Sequence, residues 1–239
     1  MEDTLKTRFR RLDAPCYRFH SKQSILEVPD LRLCSRVPPE DREDLEVTAK
    51  LFYLDKRTGT YPAECIDAAI TRLQKLLEVA SIDTFIIASD DNLGDNMFSA
   101  WQVLENYHEQ KSIKKLGVSD LTYEKLDDFM KAVRVKPAIN QINVNQWCDI
   151  PTKLFDFAKQ HEVDLLHNSD KQDILSTETL TKLLRCYGVV DGFTNVAPSW
   201  VLKYHVFVNN RSVVTDKGIH QGLNFVRYIV AGDVPPRSA

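Results

Sequence analysis

Three runs, Lys115-Leu116-Gly117-Val118-Ser119-Asp120, Pro137-Ala138-Ile139-Asn140-Gln141-Ile142 and Val163-Asp164-Leu165-Leu166-His167-Asn168-Ser169-Asp170, recur at similar intervals along the chain. The first gap between them holds Leu126, Phe129, Met130 and Val133 at i, i+3, i+4, i+7, and the second holds Leu154, Phe157, Ala158 and His161 at the same spacing. That period is helical, whereas the short apolar runs read as strands. Strand, helix, strand, helix, strand is a pair of right-handed βαβ units. Such units imply a parallel sheet covered by helices.

The same alternation extends outward. Leu45 to Tyr53 is rich in β-branched and aromatic residues, which suits a strand, and Ile82 to Ala88 is apolar enough for a strand buried on both faces. Pro62 is placed as the first residue of a helix that buries Ile66, Ala69, Ile70, Leu73 and Leu77. Met97, Trp101, Leu104 and His108 mark another. Ser176 or Thr177 caps a helix carrying Leu180, Leu183, Leu184 and Tyr187, closed by Gly188. Pro198 is expected to open a last helix through Trp200, Val201 and Tyr204, ahead of a final strand at 211–215. Strands are thus expected at 46–53, 82–88, 113–118, 138–142, 163–167 and 211–215, each but the last followed by a helix. This is most of an α/β fold of the (β/α)₈ TIM-barrel type. The expected organisation is one barrel domain over 1–239, with an irregular region at 1–45 and a short C-terminal tail at 219–239. The first two strands would have to come from the proline-punctuated residues 1–45, where only Leu31 to Val37 alternates, so the barrel is expected to be incomplete or irregular there.

Composition excludes several function classes. A net charge of -3 with interspersed signs gives no field for gripping phosphates, so nucleic acid is not an expected partner. No apolar run approaches the ~20 residues needed to span a bilayer, and no leader-like apolar region opens the chain, so a cytoplasmic protein without membrane partners is expected. The five cysteines, Cys16, Cys34, Cys65, Cys148 and Cys186, are far apart and odd in number. They suit a reducing compartment better than a disulfide scaffold or a zinc site, and no metal is expected. No glycine-rich phosphate loop is present.

The central stretch resembles the aldo-keto reductases, whose Gly-Val-Ser-Asn loop and following Asn-Gln pair correspond to Gly117-Val118-Ser119-Asp120 and Asn140-Gln141. The resemblance implies a barrel that reduces carbonyls with hydride from NADPH. It also implies a Tyr general acid, a Lys that lowers the Tyr pKa, a supporting Asp and a His that orients the carbonyl. Lys50 matches the Lys. The His position is Ala88, and no Asp-x-x-x-x-Tyr motif occurs between residues 28 and 45. Ser119 and Gln141 match residues that hold the nicotinamide carboxamide, yet the neighbouring Asn is Asp120 and the ring-stacking Tyr is Asn168. Lys217 matches the grip on the 2′-phosphate, with Asp216 beside it. Lys50, Ser119, Gln141 and Lys217 are therefore expected to be relic positions, with no catalytic residue and no cofactor. Losing the acid alone removes a step commonly worth about 10²-fold to 10⁴-fold in rate.

One branch shares these losses. Pro39-Glu40-Asp41-Arg42-Glu43-Asp44 leading into Val47-Thr48-Ala49-Lys50-Leu51-Phe52, Ile86-Ile87-Ala88-Ser89, Ser119-Asp120-Leu121, Val135-Lys136-Pro137 and Leu165-Leu166-His167-Asn168-Ser169-Asp170 resemble the modifier (regulatory) subunits of glutamate-cysteine ligase. That resemblance implies a pseudoenzyme that forms a heterodimer with the ligase catalytic subunit. It would improve glutamate use and relieve glutathione feedback inhibition in glutathione biosynthesis. The alternatives are an NADPH-dependent reductase and a module that binds NADPH without chemistry. Trp147 is a candidate partner-binding anchor, and Cys148 is either a free thiol or a link to the partner. Lys50 is expected to pair with a nearby carboxylate, and His167 to be a hydrogen-bonded core histidine.

Overall fold

The computed structural model describes residues 24–27, 37, 39–54, 63–88, 95–143, 150–170, 174–186, 195–208 and 225–233. In chain order these form β1 (Ser24–Glu27), a 3₁₀ helix at Pro39–Asp44, β2 (Leu45–Tyr53), α1 (Ala63–Leu77), β3 (Ile82–Ala88), α2 (Asp95–Glu109) and β4 (Ile113–Ser119). There follow α3 (Tyr123–Ala132), β5 (Ile139–Asn143), α4 (Thr152–Gln160), β6 (Asp164–Asn168), α5 (Thr177–Cys186), β7 (Ala197–Val208) and β8 (Phe225–Asp233). The sheet order is β1-β8-β7-β2-β3-β4-β5-β6. From β2 to β6 every neighbour is parallel. β7 is antiparallel to β2 and to β8, and β1 is antiparallel to β8.

The five parallel strands and their helices are the βα units that the periodicity predicts. Incompleteness at the start of the barrel takes a specific form: the seat beside β2, where an N-terminal strand is expected, is held by β7. Pro198 therefore does not open a helix. Trp200, Val201 and Leu202 are all 0% exposed, and consecutive buried side chains need cover on both faces, which a strand inside a sheet provides. The register runs from Leu45 opposite Val208 to Tyr53 opposite Trp200. β8 falls within the expected C-terminal tail. The strand expected at 211–215, most of the Leu31 to Val37 run, the expected helix start at Pro62 and the expected cap at Gly188 lie outside the described residues.

One face of the parallel sheet packs under the helices. Val47, Ala49 and Leu51 of β2 join the buried stripe of α1, formed by Cys65, Ile66, Ala69, Ile70, Leu73 and Leu77. That stripe follows the helical period, with Glu64 in the first turn and Lys75 in the last, the polarity the helix dipole favours. Each large aliphatic in such a stripe contributes about 1.5–3 kcal/mol of burial. The α3 stripe of Leu126, Phe129 and Met130 is buried as its spacing predicts. Glu105 of α2 accepts the backbone N–H groups of Arg134 and Val135, both at 2.8 Å, and Trp101 donates to the Val135 carbonyl at 2.9 Å. These bonds fix the turn that leads into β5.

The opposite face is tight at its centre. A Cβ on Gly117 would lie 3.0 Å from Ile86 Cγ1 and 3.1 Å from Ile139 Cβ. Glycine is needed here because side chains from β3 and β5 meet over β4. A smaller apolar group of Phe52, Val201, Val196 and the α5 residues Leu180 and Leu184 lies at the β2 end of this face.

Candidate functional site

In barrels built from βα units, chemistry sits at the C-terminal ends of the strands. Here those ends bring together residues from β2, β4, β5, β6 and β7. Lys50 lies between Ala49 and Leu51, which face the helices, so strand alternation turns it to the other face. It is 5% exposed, and its Nζ sits 5.0 Å above the Phe52 ring centre. The ammonium donates to Asp170 Oδ2 at 3.1 Å. The other oxygen of the same carboxylate accepts from Lys203 Nζ. Lys203 is the cross-strand partner of Lys50 on β7.

This contact measures the curvature of the sheet. β2 and β6 are four strand spacings apart, about 19 Å in a flat sheet. A lysine and an aspartate cannot bridge that span, so the sheet curls and the end of β6 comes over β2. The turn that delivers Asp170 is held by Asn168 Oδ1, which accepts the Asp170 N–H at 2.9 Å, and by Asn143 Nδ2, which donates to the Asp170 carbonyl at 2.6 Å.

The electrostatics follow from burial against charge. Burial pushes the Lys50 pKa down, and although the Asp170 and Asp120 charges oppose it, the net shift is downward. Burial pushes the Asp170 carboxyl up, but the Lys203 hydrogen bond, with the Lys50 charge and hydrogen bond, outweighs it and holds it below the usual carboxylate range. Asp120 goes the other way, raised chiefly by burial despite the Asn143 N–H at 2.7 Å. Its backbone has φ 59°, a left-handed conformation that Asp and Asn tolerate better than other side chains.

Of the residues the resemblance singles out, Lys50, Ser119 and Gln141 do gather at this end of the sheet. Lys217, Trp147 and Cys148 lie outside the described residues. Ser119 and Gln141 are register partners, and Ser119 is 1% exposed. Gln141 Oε1 and Asn168 Nδ2 are buried with no hydrogen-bond partner among the described residues. Asn140, next to Gln141, has a different job. It is 0% exposed, donates to the Leu121 carbonyl at 2.9 Å and accepts the Leu121 N–H at 3.3 Å, stapling the turn after β4. Ala88 packs against the Phe52 group. His167 is not a core histidine: it is exposed on β6, the last strand in the sheet order.

Two members of the site were not read from the sequence. Lys203 and His205 lie on β7, in a segment whose periodicity suggests a helix. A lysine in an apolar run directly after Trp200, Val201 and Leu202 was the available signal, because a buried ammonium demands a counter-charge. Burial, then the Lys203 charge, lowers the His205 pKa. Among the described residues no group of three or more His, Cys, Asp or Glu could hold a metal ion, and no helix is long and apolar enough to cross a membrane.

Comparison with known proteins gives the geometry its context. Residues 23–220 match the model of the aldo/keto reductase family. The glutamate–cysteine ligase regulatory subunit of Homo sapiens is 30% identical over 207 residues, covering 81% of this chain and 74% of that protein. A putative glutamate–cysteine ligase regulatory subunit of Schizosaccharomyces pombe is 24% identical, covering 74% of this chain and 70% of its own. A working-enzyme name is more distant: the 9,11-endoperoxide prostaglandin H2 reductase of Trypanosoma cruzi is 27% identical over 150 residues, covering 60% of this chain and 50% of that one. The solved structure of an aldo-keto reductase enzyme from a Medee basin deep-sea metagenome library is 24% identical with a TM-score of 0.45, covering 64% of this chain and 54% of that one. With its βα units, its curled sheet and this set of relatives, the chain belongs to the aldo/keto reductase family, within the group of glutamate–cysteine ligase regulatory subunits.

Proposed function

We propose that the protein is a non-catalytic regulatory subunit that binds the catalytic subunit of glutamate–cysteine ligase. As a cytoplasmic heterodimer partner it improves glutamate use and relieves glutathione feedback inhibition. The observation that carries the non-catalytic part is what surrounds Lys50. Its ammonium hydrogen-bonds to Asp170, as a lysine with a supporting Asp would, but among the described residues it meets no tyrosine hydroxyl, so the acid that such a lysine would activate is not in place. Ala88, at the strand end where reductases of this family orient the carbonyl with a His, has a methyl group that neither donates nor titrates.

Regulation then works by differential binding. A subunit that prefers one conformation of its partner shifts that partner's ligand affinity by the difference, typically about 5-fold to 150-fold. Trp147 and Cys148 are the contacts proposed for the partner. The test is co-purification with the catalytic subunit followed by kinetics of the mixture: the glutamate KM should fall and the glutathione inhibition constant should rise. Unchanged constants in a formed complex would sink this reading.

A second reading is favoured by one observation, the buried Gln141 Oε1 opposite Ser119 and the buried Asn168 Nδ2 at the end of β6, both without a hydrogen-bond partner among the described residues. On this reading the chain binds NADPH without turning it over. Calorimetry with NADPH tests it, and aldehyde turnover followed at 340 nm would revive the reductase.

A further inference from the structure

We infer that the Lys50–Asp170–Lys203 bridge is a releasable clasp: it holds the β6 end of the sheet over the β2–β7 end, and losing it opens the concave face from the β6 side while the remaining strands stay paired. The geometry supplies the argument. In the sheet order β6 is the last strand, bonded to β5 alone among the described strands. It is also poorly covered, with Asp164, Leu166 and His167 exposed, and Leu166 at 43% is one of two exposed large hydrophobic residues among those described. A strand with few buried contacts and one ladder of backbone bonds belongs to the low-stability end of a fold. What keeps it curled inward is the Asp170 carboxylate, 8% exposed and shared by two lysines from strands with which β6 does not pair in the sheet order.

The clasp is poised because its parts repel without their centre. Lys50 and Lys203 are opposed on adjacent antiparallel strands, and like charges in that position destabilise the pair. The charged groups that face Asp170 are Lys50 from β2, Lys203 and His205 from β7, and Asp120 from the turn after β4. Take the Asp170 charge away and two ammonium groups face each other with Asp120 as the remaining anion. Asn143 and Asn168 still bind the Asp170 backbone, so the turn itself survives and the motion is a swing of β6 and its turn together.

Hydrogen exchange on the full chain tests this. In D170N, amides of Leu165 to Asn168 should exchange about tenfold faster or more, and those of Phe85 to Ile87 on β3 should change by less than about twofold. Adding K203M relieves the lysine repulsion between β2 and β7 without restoring the bridge, so D170N/K203M should still exchange faster at β6 than K203M. D170E, which keeps the charge, should stay near the parent. β6 protection within twofold of the parent in D170N, or an equal loss on β3 and β6, would each overturn the clasp. Should D170N fail to fold, K203M is compared with D170N/K203M: faster β6 exchange in the double variant supports the clasp, and equal exchange overturns it.

Discussion

Two carboxylates in this protein each gather two cations, and they do opposite things with them. At the N-terminal end of the sheet, Asp83 of β3 accepts Arg42 at 2.9 Å, the Val47 N–H at 2.7 Å and Lys114 at 2.6 Å. Arg42 also donates to the carbonyls of Leu45 and Ser81 at 2.8 and 2.9 Å. Every partner lies on β2, β3 or β4 or in the turns before β2 and β3, so the cluster stitches neighbours that their backbones already join. At the other end, Asp170, just past β6, joins that strand to β2 and β7, with neither of which it pairs among the described strands. The first cluster reinforces what exists, and the second sets the curvature. Equivalent ion chemistry thus becomes a staple or a clasp according to the strands it spans.

The strongest way to break the comparison is D170N. It strands two lysines, one of them deeply buried, and should cost about 3 kcal/mol in urea unfolding, the usual penalty for halving a buried ion pair. D83N should cost less, about 1–2 kcal/mol, because the amide oxygen still accepts the Val47 N–H while Lys114, 59% exposed, returns to water. If D83N proves as costly as D170N, strand reach is not what separates the clusters.

Acid sharpens the same contrast. Asp83 is held below the usual range: burial raises it, but Lys114, the Val47 N–H and Arg42 outweigh that effect. Asp170 is depressed as well, so the unfolded chain takes up their protons first. Their stabilisation is complete above the unfolded carboxyl pKa of about 3.9 and is lost as pH falls through the folded values. Asp120 carries the opposite sign. Its raised pKa means that protonation favours the fold, which offsets part of the loss. Urea midpoints measured from pH 5 to 2 should fall steeply in the parent and less steeply in D170N. The smallest effect is expected for D120N, within about 0.5 kcal/mol at pH 7, because Asn tolerates the same backbone and still accepts the Asn143 N–H.

Much of the fold is legible along the chain because its helices and strands announce themselves locally. Leu126, Phe129 and Met130 are buried on α3 as their spacing predicts, and the α1 stripe is as readable. Trp200 to Tyr204 is not legible in this way. A short, mostly apolar run fits a buried strand as well as a helix, and only its pairing with Leu45 to Tyr53 separates the two. The exposure of His167 is hidden for the same reason, since a residue on the last strand of a sheet looks no different from one at its centre. At the site, a counter-charge for Lys50 is demanded by burial alone, but Asp170, 120 residues away, is not marked out among the carboxylates.

The sequence by itself determined the period of each element, the parallel βα order and the need for a partner to Lys50, because those follow from neighbours within a few turns. Tertiary structure alone decided that β7 would lie beside β2, that Lys203 would oppose Lys50 and that Asp170 would reach both. Each of those depends on how far the sheet curls, and curvature belongs to the assembled strands rather than to any one of them.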